Sequence, residues 1–157
     1  MPTEPQPENE PSLLDLALDH AFAEYERLNS DLYQLPPPLQ TVVLVSYAQD
    51  LIDDAGFRAF FESDMPGTPP YAIFSNAYRI IGATKAADLL DVAIGLFPFP
   101  DPHLESALRN EYMNSLDDDS DELFILGDEL SDDPTIWLQL ELYIQAHAPL
   151  FNLPTNS

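Results

Sequence analysis

Thr41-Val-Val-Leu-Val-Ser-Tyr-Ala-Gln-Asp-Leu-Ile52 decides the fold, because it reads two ways. Val42, Val43 and Val45 are β-branched and would suit a strand. Leu44, Tyr47, Ala48, Leu51 and Ile52 instead fall at i, i+3, i+4, i+7 and i+8, the recurrence of one helical face. The pattern persists to Ile52, longer than an ordinary strand, so the helix is preferred. With this stretch helical, no sustained strand alternation is left in the chain. The expected fold is all-α, a compact single-domain bundle of about seven helices.

The same reading extends outward. Upstream, Ser12-Leu-Leu-Asp15 has the spacing of a capping box, with Asp in place of Glu or Gln. Leu14, Ala17, Leu18, Ala21, Tyr25, Leu28, Leu32 and Leu35 form one stripe, predicting a helix that runs to Pro36-Pro37-Pro38. Downstream, Gly56 punctuates the chain, and Phe57, Phe60 and Phe61 share the apolar face of a short helix. Met65-Pro-Gly-Thr-Pro-Pro70 reads as a loop. Tyr71 to Ile81 reads as a helix closed by Gly82, and Thr84 as the cap of the next, which buries Ala86, Leu89, Leu90, Ala93, Ile94 and Phe97. Asp101-Pro102 and Asp133-Pro134 each read as a cap followed by a first-turn proline, opening helices over roughly 102–116 and 134–148. Between them lie Asp117-Asp-Asp-Ser-Asp-Glu122 and the apolar patch Leu123-Phe-Ile-Leu126. The organisation expected is an acidic, proline-rich disordered leader over 1–11, a helical domain over 12–151 and a short tail over 152–157.

The charge is anomalous. Asp and Glu number 28 against 5 Lys and Arg, a formal net charge of −23, although charged residues are only 21% of the chain. The imbalance therefore comes from missing cations, and same-sign charge opposes compaction. Arg27, Arg58, Arg79, Lys85 and Arg109 are scattered, so there is no basic patch for direct binding of nucleic acid or of an anionic membrane. The partner expected is a cation, meaning a basic protein surface or a metal ion. The absence of cysteine excludes disulfides, thiolate metal sites and cysteine catalysis. The opening segment has neither a basic start nor an apolar run, and no stretch nears the ~18 apolar residues of a membrane helix. A cytoplasmic location is expected.

No chemical motif competes well. Asp117, Asp119 and Asp121 match the first positions of a calcium loop, but Glu122 stands where that loop needs Gly and Asp128 where it needs Glu. His20, His103 and His147 fall in separate segments without ligand or triad spacing. Asp53 and Asp54, one carboxylate pair among many, say nothing specific about acid–base chemistry. Trp137 reads as core. No catalytic residue, metal or cofactor is expected. What remains is the distribution of acids: twelve lie between Asp101 and Asp133. Asp15 and Asp19 are one helical turn apart, about 6 Å along the axis, close to the roughly 7 Å between phosphates of a DNA strand. The candidate partner surface is Asp117, Asp118, Asp119, Asp121, Glu122, Asp128, Glu129 and Asp132, with Asp15, Asp19 and Glu26 as a second patch.

Asp50-Leu-Ile-Asp-Asp-Ala-Gly-Phe-Arg-Ala-Phe-Phe61 resembles the Gly-Gly-Phe signature of the bacterial DNA-mimic-protein family, first catalogued as a domain of unknown function. The similarity continues through Ile80-Ile-Gly-Ala-Thr-Lys-Ala-Ala-Asp-Leu-Leu90, Ala93 and Phe97-Pro98. It returns around Asp119 to Phe124 and at Tyr143-Ile144 with His147, covering about 39–148. Ala55 departs from the pattern by replacing the first glycine. The resemblance implies an all-helical fold, allows a homodimer, and implies sequestration of a basic DNA-binding protein, such as a transcriptional regulator, by the acidic face. Three other readings stay open: an inhibitor or immunity-type protein against a basic nuclease or toxin, generic acidity suited to a saline cytoplasm, and a carboxylate or metal-dependent enzyme.

Overall fold

The run of valines in 41–46 looks strand-like because it is buried all round. In the computed structural model Thr41, Val42, Val43, Leu44, Val45 and Ser46 are all enclosed, and they lie in a helix, not a strand. A helix apolar on every side belongs at the centre of a bundle. The structure describes residues 12–117 and 120–153. The leader expected over 1–11, the end of the tail, and Asp118 and Asp119 lie outside these residues. Seven α-helices follow in order: α1 (Leu13–Arg27), α2 (Pro37–Glu62), α3 (Ala72–Ile80), α4 (Thr84–Gly95), α5 (Ser106–Asn114), α6 (Glu122–Leu130) and α7 (Pro134–Ala146). No strand occurs among the described residues, and the fold is all-α. α2 is the hub, packing against α1, α3, α5, α6 and α7.

The number of helices agrees with the sequence reading, but their division does not. The two segments expected on either side of Gly56 are both helical, as read, and count together as α2, with a kink between them where Ala55 and Gly56 leave helical geometry. Gly56 has φ 66° and ψ −160°, a region open in practice only to glycine. Ala55 has φ −150°, so its Cβ is admissible, and replacing the first glycine of the motif leaves the turn intact. Phe57, Phe60 and Phe61, after the kink, enter the core as expected. The Phe60 and Phe61 rings meet Tyr71, Phe74 and Phe97 mostly edge-on, at centroid distances of 5.0–5.6 Å.

α6 makes up the difference in the count. The sequence shows only acids and an apolar patch there, yet Leu123, Phe124, Gly127 and Leu130 line the buried side of a helix. Three further expectations are corrected. α1 ends at Arg27 and does not run to Leu35, because Asn29 and Ser30 take left-handed backbone and Asp31 then caps a 3-10 turn over Leu32–Gln34. Thr84 is the first residue of α4 rather than its cap, which is Ala83. Asp101 makes no capping bond and opens only the 3-10 turn Pro102–Leu104, so α5 starts at Ser106. Other signals hold. Ser12 and Asp15 form the reciprocal capping box of α1, and Asp133 accepts from the Thr135 N–H at the start of α7. Gly82 closes α3: its N–H donates to Arg79 O, and Ala83 N–H donates to Tyr78 O.

Gly127 shows why α6 can sit where it does. A Cβ there would lie 2.8 Å from the Phe57 backbone nitrogen and 3.0 Å from its ring, so only glycine lets α6 close on the kink of α2. Helix propensity alone says Gly127→Ala stabilises by about 1 kcal/mol. The clash with fixed backbone outweighs that gain, so we expect a net loss of about 1 kcal/mol. Urea unfolding checks the sign, and a rise in the midpoint would refute this packing.

Candidate partner-binding surface

The uncompensated field begins with the cations, because the arginines are occupied locally. Arg27 pairs with Glu24 at 2.7 Å on α1, and that hydrogen bond holds the Glu24 carboxyl below its ordinary value. Arg79 reaches both Asp88 at 2.9 Å and Asp91 at 2.5 Å. Arg58 pairs with Glu62 at 3.1 Å. Arg109, the one cation among the twelve acids of 101–133, is fully buried and meets Asp64 at 2.5 Å. It therefore faces the core and does little to neutralise the surface around it. Lys85 is exposed on α4.

The expected partner residues divide into two groups. Asp15, Asp19 and Glu26 stand exposed on α1, with the Asp15 carboxylate accepting the Ser12 N–H of the capping box. α1 packs on α2, α7 and the closing 3-10 turn, Ala148–Phe151. The other group lies on or beside α6, whose main neighbours are α2 and α4. Asp117 is exposed just before it, and Asp121, half-buried at its N-cap, accepts the Asp117 N–H. Glu122 lies in the first turn, where the helix dipole favours a carboxylate. Asp128 and Glu129 lie exposed in the last turn, where the dipole disfavours one. Asp132 follows in left-handed backbone.

Only part of this set converges. Asp53, Asp54, Asp128 and Asp132 line one cleft of about 460 Å³, with Arg58 and Phe124 also in its wall. In sequence Asp53 and Asp54 are one carboxylate pair among many. The kink at Gly56 carries the information: it ends the first half of α2 beside them and brings α6 alongside. A far smaller cavity beside Tyr71 and His103 has space for about one water.

The four cleft carboxylates are not equivalent. Asp53 accepts from Gln49 Nε2 at 2.8 Å, the Asp132 N–H at 2.7 Å and the indole N–H of Trp137 at 3.0 Å. Gln49 is itself fully buried, donating also to Leu130 O and accepting from the Tyr78 hydroxyl at 2.9 Å. Burial pushes the Tyr78 hydroxyl far above its ordinary pKa, which keeps it a neutral donor in this chain. Asp53 thus ties α2 to the α6–α7 turn and to α7, while Asp54, Asp128 and Asp132 present exposed carboxylates. Trp137 packs against the core, as read, with its polar edge on Asp53. Along α2, desolvation and then the Asp53 charge raise the Asp50 carboxyl above its ordinary value. Among the described residues, no three His, Asp or Glu side chains gather in an arrangement that could hold a metal ion.

A family model, the DMP19-like protein, matches residues 33–147. The chain belongs to this DMP19-like family. No curated protein and no solved structure matches it. The family segment starts in the 3-10 turn before α2 and ends just after α7. The cleft, its carboxylates and both helices that frame it are therefore part of the DMP19-like unit. α1, with Asp15, Asp19 and Glu26, lies outside. No helix among the described residues is long and apolar enough to cross a membrane.

Proposed function

We propose that this DMP19-like protein is a non-catalytic DNA mimic, which occupies the basic DNA-binding surface of a protein such as a transcriptional regulator and so keeps it from DNA. One observation carries the reading. A chain of net charge −23 spends four of its five cations on nearby carboxylates, one of them buried, and leaves the acids around the α2–α6 cleft exposed. Such a surface attracts basic proteins over long range and rejects nucleic acid itself. The cleft gives the field a shape, with carboxylates from α2, from α6 and from the turn after it that can receive guanidinium or ammonium groups.

Competition tests it. Duplex DNA is immobilised and loaded with the cell's DNA-binding proteins, and the purified chain is added at low salt. It should release one or a few of them, and release should fade steeply as salt rises, because exposed charges are screened beyond about 10 Å at 0.1 M. A chain that is retained on the DNA together with its partner, forming a ternary complex, overturns mimicry.

A further inference from the structure

A cation in the wall of an acidic binding surface weakens the field it stands in, so the place of Arg58 calls for a reason. Its Nη1 donates to Glu62 Oε1 at 3.1 Å and to Asn114 Oδ1 at 3.3 Å. Its guanidinium carbon also lies 4.8 Å from the centroid of the Phe124 ring. Asn114 is the last residue of α5, and Phe124 is buried in the first turn of α6. Between them the sequence carries five acids: Asp117, Asp118, Asp119, Asp121 and Glu122. Such a run repels itself and favours an extended path. A planar guanidinium can hydrogen-bond at its edge while its face covers an aromatic ring, which an ammonium cannot do.

We infer that Arg58 is a positioning residue: it fastens the last residue of α5 and the first turn of α6 to the second half of α2, and so presents Asp117, Asp121 and Glu122, which lie between them, to a basic partner. The presentation rests on the DNA-mimic reading, but the anchoring does not. The two therefore fail differently.

The test uses the whole chain with Arg58→Lys and Arg58→Met. Hydrogen exchange on the free protein should quicken about tenfold at amides of 115–117 and 120–124 in both variants, with α1 and α7 unchanged. On the DNA column, both should need about fivefold more protein for half-release, although Arg58→Met is the more acidic chain. Poly-arginine, a flexible probe of the field alone, should bind Arg58→Lys as before and Arg58→Met more tightly. If Arg58 merely dilutes the field, Arg58→Met releases more DNA-bound protein, not less, and that result overturns the inference. Unchanged exchange overturns it too. Faster exchange with unchanged release upholds the anchor and removes the acidic stretch from the contact surface. If Arg58→Met loses its helical circular dichroism, Phe124→Leu keeps the core filled, removes the aromatic face, and should reproduce the faster exchange.

Discussion

Replacing Arg109 with methionine should lower the melting temperature by about 10 °C, the largest loss we expect from a single substitution. The side chain is fully buried and serves three acceptors: Phe61 O at 2.8 Å, Pro102 O at 2.7 Å and the Asp64 carboxylate at 2.5 Å. It joins the end of α2 to the turn before α5. Methionine fills most of the volume but leaves two carbonyls without their donor. Removing one partner of a buried ion pair costs about 3–5 kcal/mol. We take the lower figure, because Asp64 is 39% exposed and its carboxylate would return to water. Arg109→Lys should recover only part of the loss, since one ammonium cannot reach three acceptors set for a planar fork. Thermal unfolding followed by circular dichroism measures both, and a shift of a degree or two would show that the three bonds add little.

The second large effect is on binding. Changing Asp54, Asp128 and Asp132 to Asn and Glu129 to Gln should raise the protein needed for half-release of DNA-bound partner about a hundredfold at low salt. Exposed ion pairs contribute at most about 1 kcal/mol each, and every 1.4 kcal/mol is tenfold. Asp53 is spared because its three donors make it part of the scaffold. Asp132 lies in left-handed backbone, where Asn is at home. The control removes four exposed charges outside both candidate groups: Asp31→Asn, Asp101→Asn, Glu105→Gln and Glu111→Gln. Its loss should stay below about tenfold, because distant charges act only through the screened long-range field. Equal losses would mean that overall charge, not the cleft, selects the partner.

Much of the fold was legible from apolar spacing. Capping at Ser12 and Asp133, closure at Gly82 and the burial of Phe57, Phe60 and Phe61 all follow from local chemistry that tertiary contacts do not override. The misreadings have physical causes. Asn29 and Ser30 end α1 in left-handed backbone, which neither residue signals as glycine does, so the apolar stripe continues in sequence past the end of the helix. α6 was hidden by its acids and by Gly127, a poor helix former that is present for the closeness of α2. The site was half legible. Single acids such as Asp128 and Asp132 stood out, but their meeting with Asp53 and Asp54 depends on how α6 crosses a kink, a tertiary fact. Arg109 lies among the acids of 101–133 in sequence, but packing puts it in the core, which charge counted along the chain does not reveal.

The hydrogen bond between Trp137 and Asp53 gives the molecule an optical handle. Trp137 is the chain's one tryptophan, and its indole N–H ends on a carboxylate that also lines the cleft. Indole fluorescence is sensitive to the charge and hydration around that N–H. A guanidinium entering beside Asp53 alters both at once. Occupation of the cleft can then be followed through the protein's own ultraviolet emission, with no dye attached and no acidic residue changed.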